Sequence, residues 1–275
     1  MKKVAIIIPI YKNNLSLNED ISLKRALKVF KNRDIVLVTF FELKHYCYQI
    51  KKNHCNINIQ IFDKKYFNSI RGYNRFLMSK SFYKAFINFN YILICQLDVY
   101  VFEDKLDYWI EKQYCNIGAP LFKGYNKISK DFRIFGNNGG FCLRKTQSCL
   151  DVLSNIKYRF YNLSTLFKIE SSFLWKLFRI LRDGLLFNYN CKHFYPIINE
   201  DNFWSAIVPI ENKLFLVPKP EEAMLFSFDA NPKLLYEKSN NKFPMAIHAW
   251  WKYDKIFVEK LIKLQTDEEE KETRV

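Results

Sequence analysis

Paired cysteines are missing from this sequence. Its seven cysteines are odd in number, and none of them forms a Cys-x-x-Cys spacing, which argues against a zinc site and against a disulfide framework. Cys95 lies inside an apolar run, where a free thiol behaves as a small hydrophobic side chain. Cysteines of this kind are typical of a reducing compartment, so we expect a cytoplasmic protein.

Long apolar runs are also missing. No stretch reaches the about 20 uninterrupted apolar residues that a membrane-spanning helix needs. Residues 1–12 combine two lysines with an apolar run, as signal peptides do, but the run is short, contains Pro9 and lacks a small-residue cleavage site. We therefore predict a buried first strand here and no spanning helix.

Basic residues are in excess but are not concentrated in any segment. There are 43 Lys and Arg against 28 Asp and Glu, a net charge of +15, and the sequence contains no run of five or more basic residues. Such an excess favours polyanionic partners. No nucleic-acid recognition motif accompanies it. We predict phosphate-bearing ligands or an anionic membrane surface rather than nucleic acid, and a solvated, frayed acidic end at 267–270.

The first hundred residues alternate apolar strands with helical patterns. We predict strands and helices over these ranges: strands Val4–Ile10, Asp34–Phe40, Ile57–Phe62 and Tyr91–Leu97, helices Leu17–Lys31 and Asn74–Ile87. This alternation predicts an α/β fold with a parallel sheet covered on both faces. Ligands collect at the carboxyl ends of such strands, where Pro9, Asp63 and Asp98 fall. No repeat or linker divides the chain.

The middle of the chain is different in character. Gly118–Pro120 and Phe135–Phe141 are rich in turn-forming residues, with glycines where the backbone bends or a ligand approaches closely. Ser171–Phe187 has the pattern of an amphipathic helix, with Lys176, Arg179 and Arg182 opposite its apolar residues. Such a helix either packs on the protein or rests on anionic lipid.

Four features carry candidate chemistry, and each also has a structural interpretation. Asp98, at the end of an apolar run, is either a carboxylate for a metal and phosphate or the end of a strand. Glu200 and Asp201 are either helix caps or a general base. His248 is either structural or a metal ligand. The Asn138–Gly140 segment, taken alone, is a common turn.

The order of these features resembles the GT-A glycosyltransferases. In particular, it is similar to a bacterial and eukaryotic glycosyltransferase-like family with the motifs QLD, NGGFxLR, ED and HAW. Here the motifs stand at Gln96–Asp98, Asn138–Arg144, Glu200–Asp201 and His248–Trp250. The resemblance implies a single GT-A-like (Rossmann-like) domain with a mostly parallel sheet. It further implies a nucleotide-sugar-binding part at 1–98, an acceptor and catalytic part at 99–255, and a C-terminal tail at 256–275.

The resemblance also implies roles for particular residues. The implied donor-binding set is Pro9, Ile10 and Tyr11 at the nucleoside, Asp63 beside the base, Asn74 and Arg75 at the sugar or phosphates, Gln96, Leu97 and Asp98, and the backbone of Gly139 and Gly140. Asp98 and His248 would ligate Mn²⁺ or Mg²⁺, although Gln96 stands where relatives have a first metal-binding Asp. Asp201 would be the general base, with Glu200 as its alternate, and the anomeric carbon would invert.

The function implied is transfer of a sugar from a nucleotide-sugar donor to a glycan or lipid-linked glycan acceptor. A bacterial surface polysaccharide such as lipopolysaccharide or capsule is the expected product, made by a peripheral membrane enzyme. Three alternatives stay open. The chain is a non-catalytic glycan-binding module, or a nucleotidyltransferase, although residues 9–14 lack the glycine-rich phosphate loop of that class. Asp98 and Asp201 are also compatible with a glycoside hydrolase pair.

Overall fold

The apolar runs of the first hundred residues form the centre of one six-stranded sheet. The computed structural model describes residues 2–52, 54–124, 129–155, 172–177 and 199–273. Its strands are β1 (Lys2–Pro9), β2 (Asp34–Thr39), β3 (Ile57–Ile61), β4 (Phe89–Cys95), β5 (Val99–Val101), β6 (Asn116–Phe122), β7 (Phe132–Lys145), β8 (Ser227–Phe228) and β9 (Ala246–His248). The sheet order is β3-β2-β1-β4-β7-β6. Strands β1 to β4 are parallel and β7 is antiparallel to both of its neighbours, so the predicted mostly parallel sheet is confirmed.

Helices cover both faces of this sheet. The α-helices of the described residues, including two that pack beside a smaller sheet, are α1 (Leu17–Val29), α2 (Lys44–Lys51), α3 (Ile70–Leu77), α4 (Lys80–Ala85), α5 (Leu106–Glu111), α6 (Thr146–Asn155), α7 (Glu200–Asn202), α8 (Val208–Glu211), α9 (Pro220–Phe226), α10 (Pro232–Lys238) and α11 (Lys255–Thr273). Short 3₁₀ turns lie at Phe41–Leu43 and Lys64–Tyr66, and a π-helical turn, Phe203–Ile207, joins α7 to α8. Helix α1 begins with a capping box between Ser16 and Glu19.

The single helix predicted over Asn74–Ile87 is wrong. Two shorter helices, α3 and α4, lie there, and α3 begins four residues earlier, after Ser69. The helical path is interrupted at Ser79, whose side chain accepts a hydrogen bond from the backbone N–H of Phe82 and so caps α4. A serine hydroxyl offers the backbone this alternative to a continuous helix.

The turns predicted at Gly118–Pro120 and Phe135–Phe141 are also wrong, because both segments lie in strands. Gly118 is in β6, and the second segment lies in the 14-residue strand β7. Close packing explains the glycine at 118, since a Cβ there would lie 2.1 Å from the carbonyl oxygen of Asn138 on the neighbouring strand. Glycine in a strand allows such backbone contact.

The alternation of side chains along β1 divides the core into two layers. Val4, Ile6 and Ile8 pack with Leu23 and Leu27 of α1 on one face of the sheet. Ala5 and Ile7 pack on the other face with α3, α4, α6 and the aromatic residues Phe203 and Trp204. A strand buried on both faces is near-continuously apolar, which is why the first run is recognisable in the sequence.

A second, three-stranded sheet of order β5-β9-β8 adjoins the main one. A third apolar cluster of the protein packs around this smaller sheet and includes Val258 and Leu261 of α11. The segment predicted as a tail is therefore a helix that packs on the protein through its first turns and continues to Thr273. The acidic residues 267–270 belong to this helix.

Part of the predicted amphipathic helix lies outside the described residues, including Arg179 and Arg182. Residues 173–177 are helical, and Phe173 and Leu174 are exposed. No helix in the described part of the chain combines the length and apolar character needed to cross a membrane. The six described cysteines are free thiols, as expected, and Cys191 lies outside those ranges.

Candidate active site

A cavity of about 480 Å³ opens at the carboxyl ends of β1 and β4. The predicted motifs meet there, although they are far apart in the sequence. The lining residues are Pro9, Tyr11, Phe67, Asn68, Ser69, Ile70, Tyr73, Asn74, Gln96, Leu97, Asp98, Asn138, Gly139, Gly140, Asn199, Glu200, Asp201 and His248. The carboxyl ends of the strands, where the strand pattern predicts ligand binding, thus border a cavity that is lined with polar groups.

The small sheet brings Asp98 and His248 together. Val99, which follows Asp98, pairs with His248 across β5 and β9. The Nε2 atom of His248 lies 3.3 Å from a carboxylate oxygen of Asp98, and its Nδ1 atom lies 3.0 Å from Asp229. Asp229 follows β8 directly, and the parallel pairing of β8 with β9 places it opposite His248.

The charges of this triad determine its pKa values. Burial alone would lower the pKa of His248, but the hydrogen bonds that its ring donates to Asp229 and Asp98 outweigh burial and raise the pKa to about 10. Burial would likewise raise the pKa of Asp98, but the hydrogen bond and charge of His248, with a smaller contribution from Lys252, hold that pKa below its usual value. With this raised pKa, His248 is an imidazolium between two carboxylates.

The two glycines of β7 allow both halves of the site to approach the strand. A Cβ on Gly139 would lie 2.2 Å from Oε1 of Glu200, and one on Gly140 would lie 2.2 Å from Cδ2 of His248. These glycines were predicted to let the backbone approach a sugar. Both glycines line the cavity. Because they have no side chains, Glu200 can pack against Gly139 and His248 can pack against Gly140.

Glu200 is buried in an ion pair with Arg144. The guanidinium donates to the Glu200 carboxylate, to the hydroxyl of Tyr83 (3.1 Å) and to Asn116 (3.2 Å), and it is fully buried. Burial raises the pKa of Glu200, and the charge of Arg144 acts in the opposite direction. A pair of this kind keeps the Glu200 carboxylate oriented and compensated.

Asp201, in contrast, has no cationic partner within hydrogen-bond distance among the described residues. Burial, followed by the charge of the adjacent Glu200, raises the pKa of Asp201 to about 7. One of its oxygens accepts a hydrogen bond from the backbone N–H of Asn202 (2.6 Å). Ser205, in the π-helical turn, donates to the carbonyl of Asp201 (2.5 Å) and holds the start of the helix against β7 through Asn137. A carboxyl group with this pKa exchanges protons at neutral pH.

Three residues of the predicted donor set lie elsewhere. Ile10 is fully buried in the core. Asp63 is exposed and caps the 3₁₀ turn after β3, where its carboxylate pairs with Lys65. Arg75 is exposed on the side of α3 away from the cavity lining. Each follows or sits in the correct element, but the side chain points away from the site because neighbouring residues of a helix or strand face different directions.

Other lining residues were missed by the sequence interpretation. Phe67, Asn68, Ser69 and Ile70 form one wall, before and at the start of α3. Burial raises the pKa of Tyr73, a hydrogen bond with Gln96 acts in the opposite direction, and the charges of Glu200 and Asp98 add to the rise. Asp229 carried a usable signal, since it ends the short apolar run 225–228 as Asp98 ends its own strand.

A divalent cation would find two protein ligands here. The Oδ1 atom of Asp98 is buried and, in the described part of the chain, has no hydrogen-bond partner. Within that same part, no cluster of three or more His, Cys, Asp and Glu side chains is arranged to hold a metal. Asp98 and His248 therefore fit a cation only if ligand oxygens, such as those of a diphosphate, complete its coordination.

Comparison with known proteins gives a family and a fold. The model of a family described as "Protein of unknown function (DUF5672)" matches residues 56–248. No curated protein matches the sequence. The apo structure of mouse xyloside xylosyltransferase 1 is similar, with a TM-score of 0.50 and 10% identity over 90% of this chain and 97% of that one. At this identity the likeness shows the fold, and the predicted GT-A-like α/β fold is confirmed.

Two further structures are similar at lower scores. A galactosyltransferase, LgtC, solved with donor and acceptor sugar analogues, has a TM-score of 0.47 and 14% identity over 96% of this chain and 95% of that one. The apo-form glycosyltransferase GlyE of Streptococcus pneumoniae TIGR4 has a TM-score of 0.46 and 11% identity over 90% of this chain and 54% of that one.

Proposed function

This chain belongs to the DUF5672 family, and we propose that it is a glycosyltransferase that moves a sugar from a nucleotide-sugar donor to a glycan or lipid-linked glycan. The observation that carries the proposal is a single cavity with two different carboxylates. Asp98 is held ionised by His248, whereas the pKa of Asp201 is raised to about 7. Carboxyl groups whose pKa values are driven apart in one site are suited to separate acid–base roles.

Asp201 is the general base in this proposal. The acceptor hydroxyl gives its proton to the Asp201 carboxylate as its oxygen bonds to the anomeric carbon, while the bond from that carbon to the leaving diphosphate breaks. Glu200 stays paired with Arg144 and accepts hydrogen bonds from the sugar or acceptor. Attack from the side opposite the leaving group inverts the anomeric carbon.

Asp98 and His248 hold a divalent cation, Mn²⁺ or Mg²⁺, in this proposal. When bound, the cation neutralises the charge of the departing diphosphate. The charges around the cavity support this role: in the described part of the chain, the four carboxylates Asp98, Asp229, Glu200 and Asp201 are paired with two cations, Arg144 and His248, and Lys252 adds a smaller charge effect on Asp98. An anionic ligand needs added positive charge there. His248 ligates through Nε2 only after that atom has lost its proton.

The proposal extends to a membrane surface. A lipid-linked acceptor, such as a bacterial surface polysaccharide precursor, lies at an anionic membrane, which suits the net charge of +15. Phe173 and Leu174 are 72% and 76% exposed and precede Arg179 and Arg182 in the sequence. Replacing Lys176, Arg179 and Arg182 with Gln should weaken binding to phosphatidylglycerol vesicles and leave binding to neutral vesicles unchanged. Equal binding of both proteins to anionic vesicles would contradict this part of the proposal.

The test of the function is release of nucleoside diphosphate from a panel of nucleotide sugars. Asp201→Asn should lower turnover by about 10²–10⁴-fold, since it removes a positioned base, while the Tm shows an intact fold. Asp63→Asn is the matched control, because that carboxylate is exposed and does not line the cavity. Turnover should also fall below about pH 7 as Asp201 becomes protonated. Full turnover by D201N would refute the base assignment, and nucleotide binding with no turnover by the native chain would favour the non-catalytic module.

A further inference from the structure

The part of the cavity around Glu200 is lined by amides and carboxylates. Asn74 accepts a hydrogen bond from the backbone N–H of Glu200 (2.8 Å), and its amide lies 3.5 Å from Asn199. Asn199, Glu200 and Asp201 follow one another in the chain, and all line the cavity. Amides and carboxylates are partners for sugar hydroxyl groups, which both donate and accept hydrogen bonds. This surface suits an uncharged ligand with many hydroxyl groups.

The basic side chains that the structure describes around the site are engaged by other protein groups, including Arg133, which donates to Asn202 (3.2 Å) next to Asp201 and does not line the cavity. Arg144 is fully buried behind Glu200 and does not line the cavity. Of the lining side chains that the structure describes, only His248 is basic, and it is held between Asp98 and Asp229. Lys252 acts on Asp98, away from Glu200 and Asp201. The described residues therefore offer no basic lining group to a carboxylate bound beside Asp201.

The two halves of the site are also close together. Gly139 lies against the side chains of Glu200 and Asp201, and the next residue, Gly140, lies against the ring of His248. Consecutive Cα atoms are about 3.8 Å apart, so a sugar bound between Asp98 and Asp201 lies within a few ångströms of several carboxylates. A negative charge on that sugar would be repelled there more strongly than in water, because the partly buried site screens charge less.

We propose that the sugar transferred at this site is neutral, a hexose or an N-acetylated hexosamine, and that uronic acid donors are rejected. The inference rests on the proposed function, because it places the donor phosphates at Asp98 and the reacting sugar beside Asp201. The charge of the site thus selects against a carboxylate at C6 of the sugar.

Matched donor pairs test this directly. UDP-glucose and UDP-glucuronate differ only in the oxidation of C6, and so do GDP-mannose and GDP-mannuronate. Dissociation constants are measured by thermal-shift titration of the whole chain with Mn²⁺ at pH 8.5, above the pKa of about 7 of Asp201. UDP and GDP are titrated alongside. The neutral member of a bound pair should bind at least about tenfold more tightly than the uronate.

Each outcome has a separate meaning. Equal or tighter binding of the uronate would overturn the inference and leave the proposed function intact. No binding of any nucleotide or nucleotide sugar would overturn the proposed function itself. Asp201→Asn removes one carboxylate and should reduce the preference at least about threefold, whereas Asp63→Asn should leave it unchanged. A preference that is the same in D201N as in the native chain would also overturn the inference.

Discussion

The most informative single residue is Asp201, whose carboxylate is adjacent to Glu200 and, in the part of the chain that the structure describes, has no hydrogen-bonded cation. Burial and the charge of Glu200 raise its pKa from the ordinary 3.8 to about 7 in the folded chain. The folded state therefore binds the proton more tightly, and this group lowers stability progressively as pH rises from about 4 to above 7. Active sites commonly lose stability in this way to keep a reactive group available.

Asp201→Asn should therefore stabilise the fold while it abolishes turnover. The amide oxygen can still accept the backbone N–H of Asn202, and the charge repulsion with Glu200 is gone. We expect the gain in Tm to be at least about 2 °C larger at pH 8 than at pH 5. Thermal melts of both proteins at the two pH values measure this, with Asp63→Asn as the control. A Tm gain that does not change with pH would show that Asp201 is ionised in the fold at both values.

The effect of Gly140 on stability comes from its contact with the His248 ring, and two substitutions can isolate that contact. Its absent Cβ leaves room for the His248 ring, whose Cδ2 atom would lie 2.2 Å from a methyl group there. Gly140→Ala should cost about 1–3 kcal/mol of unfolding free energy. The same change in a His248→Ala background should cost much less, because the clashing ring is absent. Equal costs in both backgrounds, measured by urea unfolding, would assign the effect to the backbone of β7 instead.

At the scale of elements, β8 and β9 together support the side of the site at which we propose that a metal binds. Their parallel register sets Asp229 opposite His248, and the second oxygen of Asp229 accepts a hydrogen bond from Asn138 of β7 (3.1 Å). One buried carboxylate thus orients the histidine and the glycine-bearing strand. A carboxylate behind a metal-binding histidine fixes the ring and its tautomer.

Asp229→Asn should impair this support without removing any group that touches substrate. We expect turnover to fall about 10–100-fold, together with a higher Mn²⁺ concentration for half-maximal activity, and little change in the KM of the donor. Asp131→Asn, at an exposed position, is the control. A loss of turnover with no change in metal requirement would mean that Asp229 stabilises only the fold.

At the scale of the whole molecule, ligand binding should join the two sheets. A diphosphate bound at Asp98 would lie at the end of β4, and a cation held by Asp98 and His248 would connect it to β9. A nucleoside diphosphate at about 100 times its Kd should stabilise the fold by about 2.7 kcal/mol, with Mn²⁺ or Mg²⁺ but not with EDTA. Asp98→Asn should remove the dependence on metal. Equal shifts with and without metal would transfer neutralisation of the phosphates to basic side chains such as Lys252.

The sequence alone was sufficient for the four parallel strands of the sheet and for the edge at which the cavity lies, but not for the antiparallel strands β6 and β7. The runs at β1, β2 and β4 are apolar because both faces of the sheet are covered there, whereas the edge strand β3 alternates isoleucines with the exposed Asn58 and Gln60; both patterns can be read locally. The same pattern placed Pro9 and Asp98 at the edge where the cavity lies. It could not show that α3 and α4 are separate, since a single serine cap decides that break.

Only the tertiary structure decided how the candidate groups are divided. Sequence order placed Glu200 beside Asp201, but the buried Arg144 on β7 pairs with the first and leaves the second with its pKa near neutrality. Asp229 lies in the site although the sequence interpretation did not include it, whereas the predicted residues Asp63, Arg75 and Ile10 do not line the cavity. The local sequence pattern encodes neither the direction of a side chain nor the contacts between distant strands. The sequence determined which chemical groups are present and at which strand ends. The packing of β7, β8 and β9 determined their partners, and with them their charges.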